Sequence, residues 1–266
     1  MHPLLKLMRP VNCLMSCAAV VVGGWAFGEW KLDLGLFAAG LVWAIFTASA
    51  NMANDAFDAP EDAFNHPERP IPKGQIRSSL VLVAAFLFMM PALFLAAIVN
   101  LYLLILVVGC LVLVYAYEKW LKKRGLVGNI TIGLLVGSAF VAGGIVMDNL
   151  YVGIMIGYLA FLANTGREIV KDMEDMSGDT SRNTFVKSYG PGVAIILADF
   201  FYLAPVVFGV LIYYPLGYGN FLYIGFIALS GLALLTAAVS ARVNPRFSQQ
   251  GAKMGMVLAL GAFLFG

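Results

Sequence analysis

Nine long apolar runs, separated by short polar connections, constrain the fold of this chain more than any other feature. A bilayer-spanning helix needs about 20 mostly apolar residues. Runs of that kind lie near 11–28, 35–54, 78–98, 101–117, 128–147, 149–169, 190–212, 219–240 and 249–266. Only 12% of the residues are charged, against roughly 25% in soluble domains. The pattern predicts an all-α integral membrane protein, a nine-transmembrane-helix bundle that forms one domain over residues 1–266.

The positions of the basic residues predict how this bundle lies in the membrane. All of the 17 lysines and arginines except Lys31 fall at the N-terminus, in alternate connections or at the adjoining helix ends. Lysine and arginine are enriched in cytoplasmic loops. We therefore expect a multi-pass protein of the cell membrane with its N-terminus in the cytoplasm. The last run contains Lys253, so we expect that span to be short, tilted or partly interfacial.

Aspartates cluster at two places that this topology puts on the cytoplasmic side. Two sets of three share the spacing i, i+3, i+7, namely Asp55, Asp58 and Asp62, and then Asp172, Asp175 and Asp179. On a helix these positions lie within about 60° of one another, so the carboxylates of a set share a face. The sets follow spans two and six, which indicates two related halves with opposed acidic faces. The match extends one turn back, to Asn51 and Glu168.

Like charges on one face repel each other and raise each other's pKa, and a divalent cation removes that repulsion. Mg²⁺ suits oxygen ligands and binds through one or two carboxylates, water and substrate phosphates. We therefore interpret the six aspartates as catalytic Mg²⁺ ligands that face a diphosphate. The alternative is that they are solvated loop charges, which the repeated spacing disfavours. Asp199, inside span seven, is either functional or hydrogen-bonded to another helix, and we leave it outside the site.

A diphosphate also needs cations and polar contacts, and several candidates lie near the acidic segments. The substrate-binding candidates from position alone are Asn12, Asn51, Arg69, Lys73, Arg77, Tyr115, Lys119, Lys122, Arg167, Glu168 and Lys171. The prolines of "HPERPIPKG" predict a stiff extended segment that could form a lid over the cavity mouth. Each candidate has an alternative role. The segment could be a plain linker, the lysines could anchor headgroups, and Asn12 could bond a neighbouring helix.

These residues resemble the UbiA-type intramembrane prenyltransferases over nearly the whole chain. The first signature of that family, N-D-x-x-D-x-x-x-D, is matched by Asn54, Asp55, Asp58 and Asp62, and a later D-x-x-D motif by the second set. "NHPERPIPKG" is similar to the branch of chlorophyll synthases and archaeal lipid enzymes. "GREIVKDMEDMSGD" most resembles the archaeal digeranylgeranylglyceryl phosphate synthases. The resemblance adds Asn54 to the candidate substrate-binding residues.

The resemblance implies a Mg²⁺-dependent transfer of a geranylgeranyl group. The donor would be geranylgeranyl diphosphate and the acceptor the hydroxyl of geranylgeranylglyceryl phosphate, which gives the second ether bond of archaeal membrane lipids. The partners would be these lipid substrates and the bilayer, with no nucleic acid and no protein partner implied. One alternative is prenyl transfer to an aromatic or chlorin acceptor. Another is a cation-coupled transporter, although its binding site would be expected near the midplane.

Overall fold

A computed structural model of the chain describes residues 2–26, 30–177, 183–216 and 220–265, and within them all regular structure is helical. The α-helices are α1 (Pro3–Met8), α2 (Pro10–Trp25), α3 (Leu34–Phe57), α4 (Ala59–Asn65), α5 (Ser78–Val99), α6 (Leu101–Lys119), α7 (Leu126–Val146), α8 (Leu150–Glu174), α9 (Phe185–Leu216), α10 (Phe221–Ser240) and α11 (Pro245–Leu264). Short 3-10 helices span Leu121–Lys123 and Asp175–Ser177. The predicted all-α class is confirmed.

Six of these helices in the described ranges are long and apolar enough to cross a bilayer: α3, α5, α6, α7, α9 as far as Ile212, and α10. The chain is therefore a multi-pass membrane protein. The other three predicted spans coincide with α2, α8 and α11. Helix α2 has only 16 residues, and α8 and α11 carry charged and polar residues in the turns nearest the acidic segments. The count of nine spans stays a prediction.

Asparagine and aspartate side chains fix several helix starts. Asp33 accepts a hydrogen bond from Leu36 N at 2.8 Å and so caps α3. Asn100 accepts one from Tyr102 N at 2.7 Å at the start of α6. Such caps satisfy backbone N–H groups that have no partner inside the helix. The break expected between the apolar runs 78–98 and 101–117 is confirmed, since α5 ends at Val99 and α6 begins at Leu101.

The long helices pack in a ring around a central cavity. Each packs against the next one in sequence, from α2 through α3 and α5 to α11, and α11 returns to α2. Helix α2 also packs against α7, and α11 against α8. Helices α7 and α8 meet through glycines, since a Cβ on Gly137 would lie 2.5 Å from the carbonyl oxygen of Gly157. Small residues let membrane helices approach this closely. The ring thereby brings the ends of α3 and α8, with their acidic segments, to one mouth.

The proline-rich segment after α4 differs from its predicted extended form. Successive turns run through it, with hydrogen bonds from Arg69 N to the His66 oxygen (3.0 Å), from Lys73 N to the Arg69 oxygen (3.1 Å) and from Gly74 N to the Ile71 oxygen (2.9 Å). A proline fixes φ near −65°, a value that suits a turn as well as an extended chain. Gly74 has a φ of 71°, a conformation that glycine adopts at little cost.

Candidate active site

The two acidic segments terminate α3 and α8 in the same way. Asp58 follows α3 with φ −83° and ψ −4°, and Asp175 follows α8 with φ −82° and ψ −5°. At the first site Pro60 lies in the first turn of α4, where it cannot donate a backbone hydrogen bond. The sequence repeat is therefore also a repeat of backbone geometry, which puts Asp58 and Asp175 at equivalent positions. The third aspartate of the second set, Asp179, lies outside the described residues.

The three aspartates of the first set are buried and each is paired with a cation. Arg9 and Arg69 both bind Asp55, the latter with Nη1 3.4 Å from Oδ1. Arg69 Nη1 also lies 2.6 Å from Asp62 Oδ2, and Lys122 binds Asp58. The exposed fractions of the three aspartates are 4%, 8% and 5% in chain order. We call Asp55, Asp58 and Asp62 with their cations the first acidic cluster.

Burial raises the pKa of Asp62 above its ordinary value, against the attraction of Arg69, and the charges of Asp58 and Asp55 raise that pKa further. The protonated form of Asp62 is thus favoured relative to a solvated aspartate. Paired cations offset part of the mutual repulsion expected from the sequence.

Lys122 belongs to a chain of buried polar contacts that joins α3 to the end of α6. Its Nζ lies 3.1 Å from Glu118 Oε2 in addition to its contact with Asp58. Asn54 Nδ2 donates to Glu118 Oε1 at 2.7 Å. One lysine therefore forms ion pairs with two carboxylates, that of Asp58 after α3 and that of Glu118 on α6.

The second acidic segment is held by amide and basic side chains of α7 and α8. Asn129 Nδ2 donates to Asp172 Oδ2 at 3.0 Å. Arg167 binds Glu168, and Lys171 Nζ lies 3.6 Å from the other oxygen of Glu168. Arg167 Nε also donates to Asn164 Oδ1 at 3.1 Å. These contacts orient one face of α8 toward the cavity.

His66 connects the two acidic segments across the mouth. It follows α4 and its Nε2 lies 3.9 Å from Asp175 Oδ1, while its Nδ1 lies 3.6 Å from Glu68 Oε1. The turn segment after the first cluster therefore reaches the second. Asp58 of the first segment and Asp175 of the second border a common space.

That space is a cavity of about 520 Å³ with a polar mouth and an apolar interior. This volume lies within the usual range for small-molecule sites, about 300–1,000 Å³. Asp58 and Asp175 both line the cavity, together with the predicted residues Asn12, Asn51, Asn54, Arg69, Lys122, Arg167, Glu168 and Lys171. Further into the bundle the lining includes Trp43, Phe46, Phe140, Leu159, Ile227 and Phe263. Such a cavity suits a ligand with a charged head and a long hydrocarbon tail.

Several predicted residues do not line the cavity. Asp55 and Asp62 are not among the lining residues, but both accept hydrogen bonds from Arg69, which lines the cavity. Asp172 accepts one from Asn129 and does not line the cavity either. Lys73 and Arg77 are exposed in the turn segment, beyond Arg69. On α6, Tyr115 is 55% exposed and packs edge-on against Trp120, while Lys119 Nζ lies 5.2 Å from the centre of the Phe57 ring. The turns of the proline segment and the direction of these α6 side chains account for their distance from the cavity.

The cavity residues that are absent from the sequence-based prediction include Arg9, Glu118, Asn164 and Lys253. Arg9 has a φ of 52°, an uncommon left-handed conformation for a residue with a side chain. Residues in such conformations concentrate at functional sites. Glu118 could have been found, because it precedes Lys122 by four residues and i, i+4 pairs meet on a helix.

The carboxylates at the mouth suit a Mg²⁺ ion that takes only some of its ligands from the protein. Among the described residues, no three aspartate, glutamate, histidine or cysteine side chains converge on one point as a complete metal cage does. Asp58 and Asp175 nevertheless line the same cavity from opposite segments. Mg²⁺ is commonly held by one or two carboxylates, with water and substrate phosphates as its remaining ligands. The donor set suits a Mg²⁺ ion that arrives with a phosphorylated substrate.

Comparison with known proteins identifies relatives over the full length of the chain. The UbiA prenyltransferase family matches residues 14–261. A digeranylgeranylglyceryl phosphate synthase from Methanopyrus kandleri is 36% identical over 99% of this chain and 98% of its own length. The corresponding synthase from Methanothermobacter thermautotrophicus is 36% identical over 100% of this chain and 96% of its own.

Two solved structures have the same fold. One, from a study of digeranylgeranylglyceryl phosphate synthase in membranes, has a TM-score of 0.76 and 28% identity, covering 99% of this chain and 97% of its own. The other is a UbiA homolog from Archaeoglobus fulgidus bound to GPP and Mg²⁺, with a TM-score of 0.72 and 20% identity over 98% of both chains.

Proposed function

This chain belongs to the UbiA prenyltransferase family, and from that premise we propose that it makes the second ether bond of an archaeal membrane lipid. The donor is geranylgeranyl diphosphate, and the acceptor is the hydroxyl of geranylgeranylglyceryl phosphate. The observation that carries the proposal is the cavity, whose charged mouth and apolar interior suit two phosphorylated lipids. The names of relatives about one-third identical over their whole length support this choice of acceptor.

In this proposal the diphosphate lies at the mouth, between the two acidic segments. Asp58 and Asp175 would hold Mg²⁺, with support from Asp55, Asp62, Asp172 and Asp179. When bound, Mg²⁺ supplies positive charge that stabilises the departing diphosphate. Arg69 and Lys122 donate hydrogen bonds to the diphosphate oxygens, since both line the cavity at this end. Asn12, Asn51 and Asn54 provide neutral polar contacts.

The chemical step then follows from charge development at the allylic carbon. The bond from C1 to the diphosphate oxygen breaks, and the cationic side chains stabilise the anion that leaves. Trp43, Phe46 and Phe140 line the apolar part of the cavity, where aromatic faces attract an allylic cation and apolar walls exclude water. The acceptor hydroxyl forms the new bond to C1 and loses its proton to a carboxylate or to the departing diphosphate.

The proposed topology is a single domain over residues 1–266 with nine spans. The N-terminus and the loops of the active site face the cytoplasm, as the distribution of lysine and arginine predicts. Labelling of single cysteines introduced at Lys123 and Lys31 with an impermeant thiol reagent tests this orientation, on a background from which Cys13, Cys17 and Cys110 are removed. The first position should react only from the cytoplasmic side and the second only from the other side.

Incubating the purified protein with labelled geranylgeranyl diphosphate and a panel of acceptors tests the reaction. The panel contains geranylgeranylglyceryl phosphate, hydroxybenzoate, naphthoate and chlorophyllide. We expect Mg²⁺-dependent transfer to the glyceryl phosphate alone. Transfer to an aromatic or chlorin acceptor instead would replace the acceptor assignment, and no transfer to any acceptor would contradict the proposed activity.

A further inference from the structure

The charges around the cavity divide into two groups of opposite sign. The first acidic cluster, with Glu118, has four carboxylates against the three cations Arg9, Arg69 and Lys122. The second group lies on α8 and α11: Arg167 and Lys171 form ion pairs with the carboxylate of Glu168, and the charge of Lys253 interacts with the same carboxylate. Glu174 and Asp175 lie further toward the mouth, where Glu174 accepts a hydrogen bond from Gln249 Nε2 at 2.5 Å. The first group needs an added cation to hold an anion, and the second does not.

Among the described residues, Arg167 and Lys171 form ion pairs with a carboxylate of the protein, and Lys253 does not. It lines the cavity from α11, and its charge interacts with those of Arg167, Glu168, Arg9 and Lys171. In the described part of the chain no carboxylate oxygen lies within 4.0 Å of its Nζ. A lysine that faces a cavity among other cations repels them, unless a bound anion offsets the repulsion.

Asn164 provides a second and independent indication of a ligand. Its side chain is buried, with 3% exposed, and it lines the cavity one turn before Glu168. Its Oδ1 accepts a hydrogen bond from Arg167 Nε, but among the described residues its Nδ2 donates to no acceptor. A buried donor without an acceptor destabilises the folded protein. A ligand oxygen in the cavity would satisfy it.

We infer that Asn164, Arg167 and Lys253 form the site for the phosphate monoester of the acceptor lipid. This inference rests on the proposed function and names the residues that recognise the acceptor. A phosphate monoester carries a charge of about −1.5 to −2 at pH 7 and three strong acceptor oxygens. The second group offers a net charge of two positive units and donors on three side chains. Lys171 and Glu168 support the site by holding Arg167 in place.

The diphosphate of geranylgeranyl diphosphate also offers phosphate oxygens that accept hydrogen bonds. The two ligands differ in whether they need a metal ion to bind. At the mouth the carboxylates outnumber the cations, so the diphosphate enters with Mg²⁺. At the second group the cations outnumber the carboxylate, so the phosphate of the acceptor binds without metal. The site therefore distinguishes a phosphorylated acceptor from a neutral one, whether or not Mg²⁺ is present.

The test is the affinity of the full chain in detergent, with EDTA present, for two lipids by isothermal titration calorimetry. One is geranylgeranylglyceryl phosphate and the other is geranylgeranylglycerol, which lacks the phosphate. We expect the wild-type chain to bind the phosphate form at least about tenfold more tightly, since charge-assisted hydrogen bonds are strong. Lys253→Gln should remove most of that preference, and Asn164→Leu part of it. Arg246→Gln is the matched control, because Arg246 is exposed on the same helix outside the cavity.

Three results would overturn the inference. The wild-type chain could bind both lipids equally, Lys253→Gln could behave like Arg246→Gln, or Lys253→Gln could weaken binding of geranylgeranyl diphosphate with Mg²⁺ as much as it weakens the acceptor. Failure of the proposed function looks different. In that case no prenyl transfer occurs with the wild-type chain, while the preference for the phosphate lipid and its loss in Lys253→Gln remain.

Discussion

Lys122 forms ion pairs with two buried carboxylates, and its removal should destabilise the folded protein. The exposed fractions of its side chain and of those of Asp58 and Glu118 are 7%, 11% and 3%. Lys122→Met keeps the length and most of the apolar stem but removes the ion pairs with Asp58 and Glu118. Loss of one partner from a buried ion pair costs about 3–5 kcal/mol. For a chain of this size 1 kcal/mol corresponds to roughly 2–4 °C in Tm, so we expect Tm to fall by about 6–20 °C.

Thermal unfolding in detergent without Mg²⁺, followed by size-exclusion chromatography, measures this fall. Lys123→Met is the matched control, because Lys123 is the adjacent lysine and is exposed. A surface substitution of that kind changes stability by at most about 0.5 kcal/mol. If Lys122→Met lowers Tm no more than Lys123→Met does, the buried ion pairs do not contribute as the structure indicates.

Three further outcomes are expected. Gly137→Ala should lower Tm by the equivalent of about 1–3 kcal/mol, because the added Cβ would lie 2.5 Å from the Gly157 oxygen. Gly109→Ala is the control and should not lower Tm, because no atom lies within 4 Å of the Cβ added there. Equal losses in the two variants would contradict the close α7–α8 contact. EDTA should abolish prenyl transfer and added Mg²⁺ should restore it, measured as radiolabelled lipid product; turnover that persists in EDTA would exclude the metal-bound donor. Asn129→Leu removes the amide that donates a hydrogen bond to Asp172 Oδ2. It should raise the Mg²⁺ concentration needed for half-maximal rate by about 10-fold or more, because residues that orient metal ligands contribute to metal affinity. An unchanged Mg²⁺ titration would show that this hydrogen bond does not contribute to Mg²⁺ binding.

The sequence predicted those parts of the molecule that follow from local pattern. Apolar runs long enough to cross a bilayer predicted the helices, because the α-helix is the regular structure in which a single segment makes all of its own backbone hydrogen bonds in lipid. The spacing of Asp58 and Asp175 predicted that the two acidic segments end equivalent helices, and their matching dihedral angles agree with that expectation. Such features depend on neighbours a few residues apart, which the sequence displays directly.

Other parts of the site depend on packing between distant helices and were not predictable in this way. From the sequence, Arg9 was only one of the basic residues near the N-terminus. In the structure its guanidinium group donates a hydrogen bond to Asp55, which lies 46 residues away in the chain. Lys253 was a reason to expect a short or tilted last span, and it lines the cavity because α11 closes the ring onto α8 and α2. Asp199, left outside the site, forms an ion pair with Arg242 (Nη2 to Oδ2 2.5 Å) and does not line the cavity.

The central claim is that one metal-bound diphosphate lies between the two acidic segments, and anomalous diffraction tests it most directly. Crystals would be grown with Mn²⁺ in place of Mg²⁺ and with a non-reactive thiolo analogue of geranylgeranyl diphosphate. The account predicts anomalous density inside the cavity mouth, bounded by the carboxylates of Asp58 and Asp175 and by the diphosphate. Metal density bound by one segment alone, or a diphosphate held away from both, would contradict it.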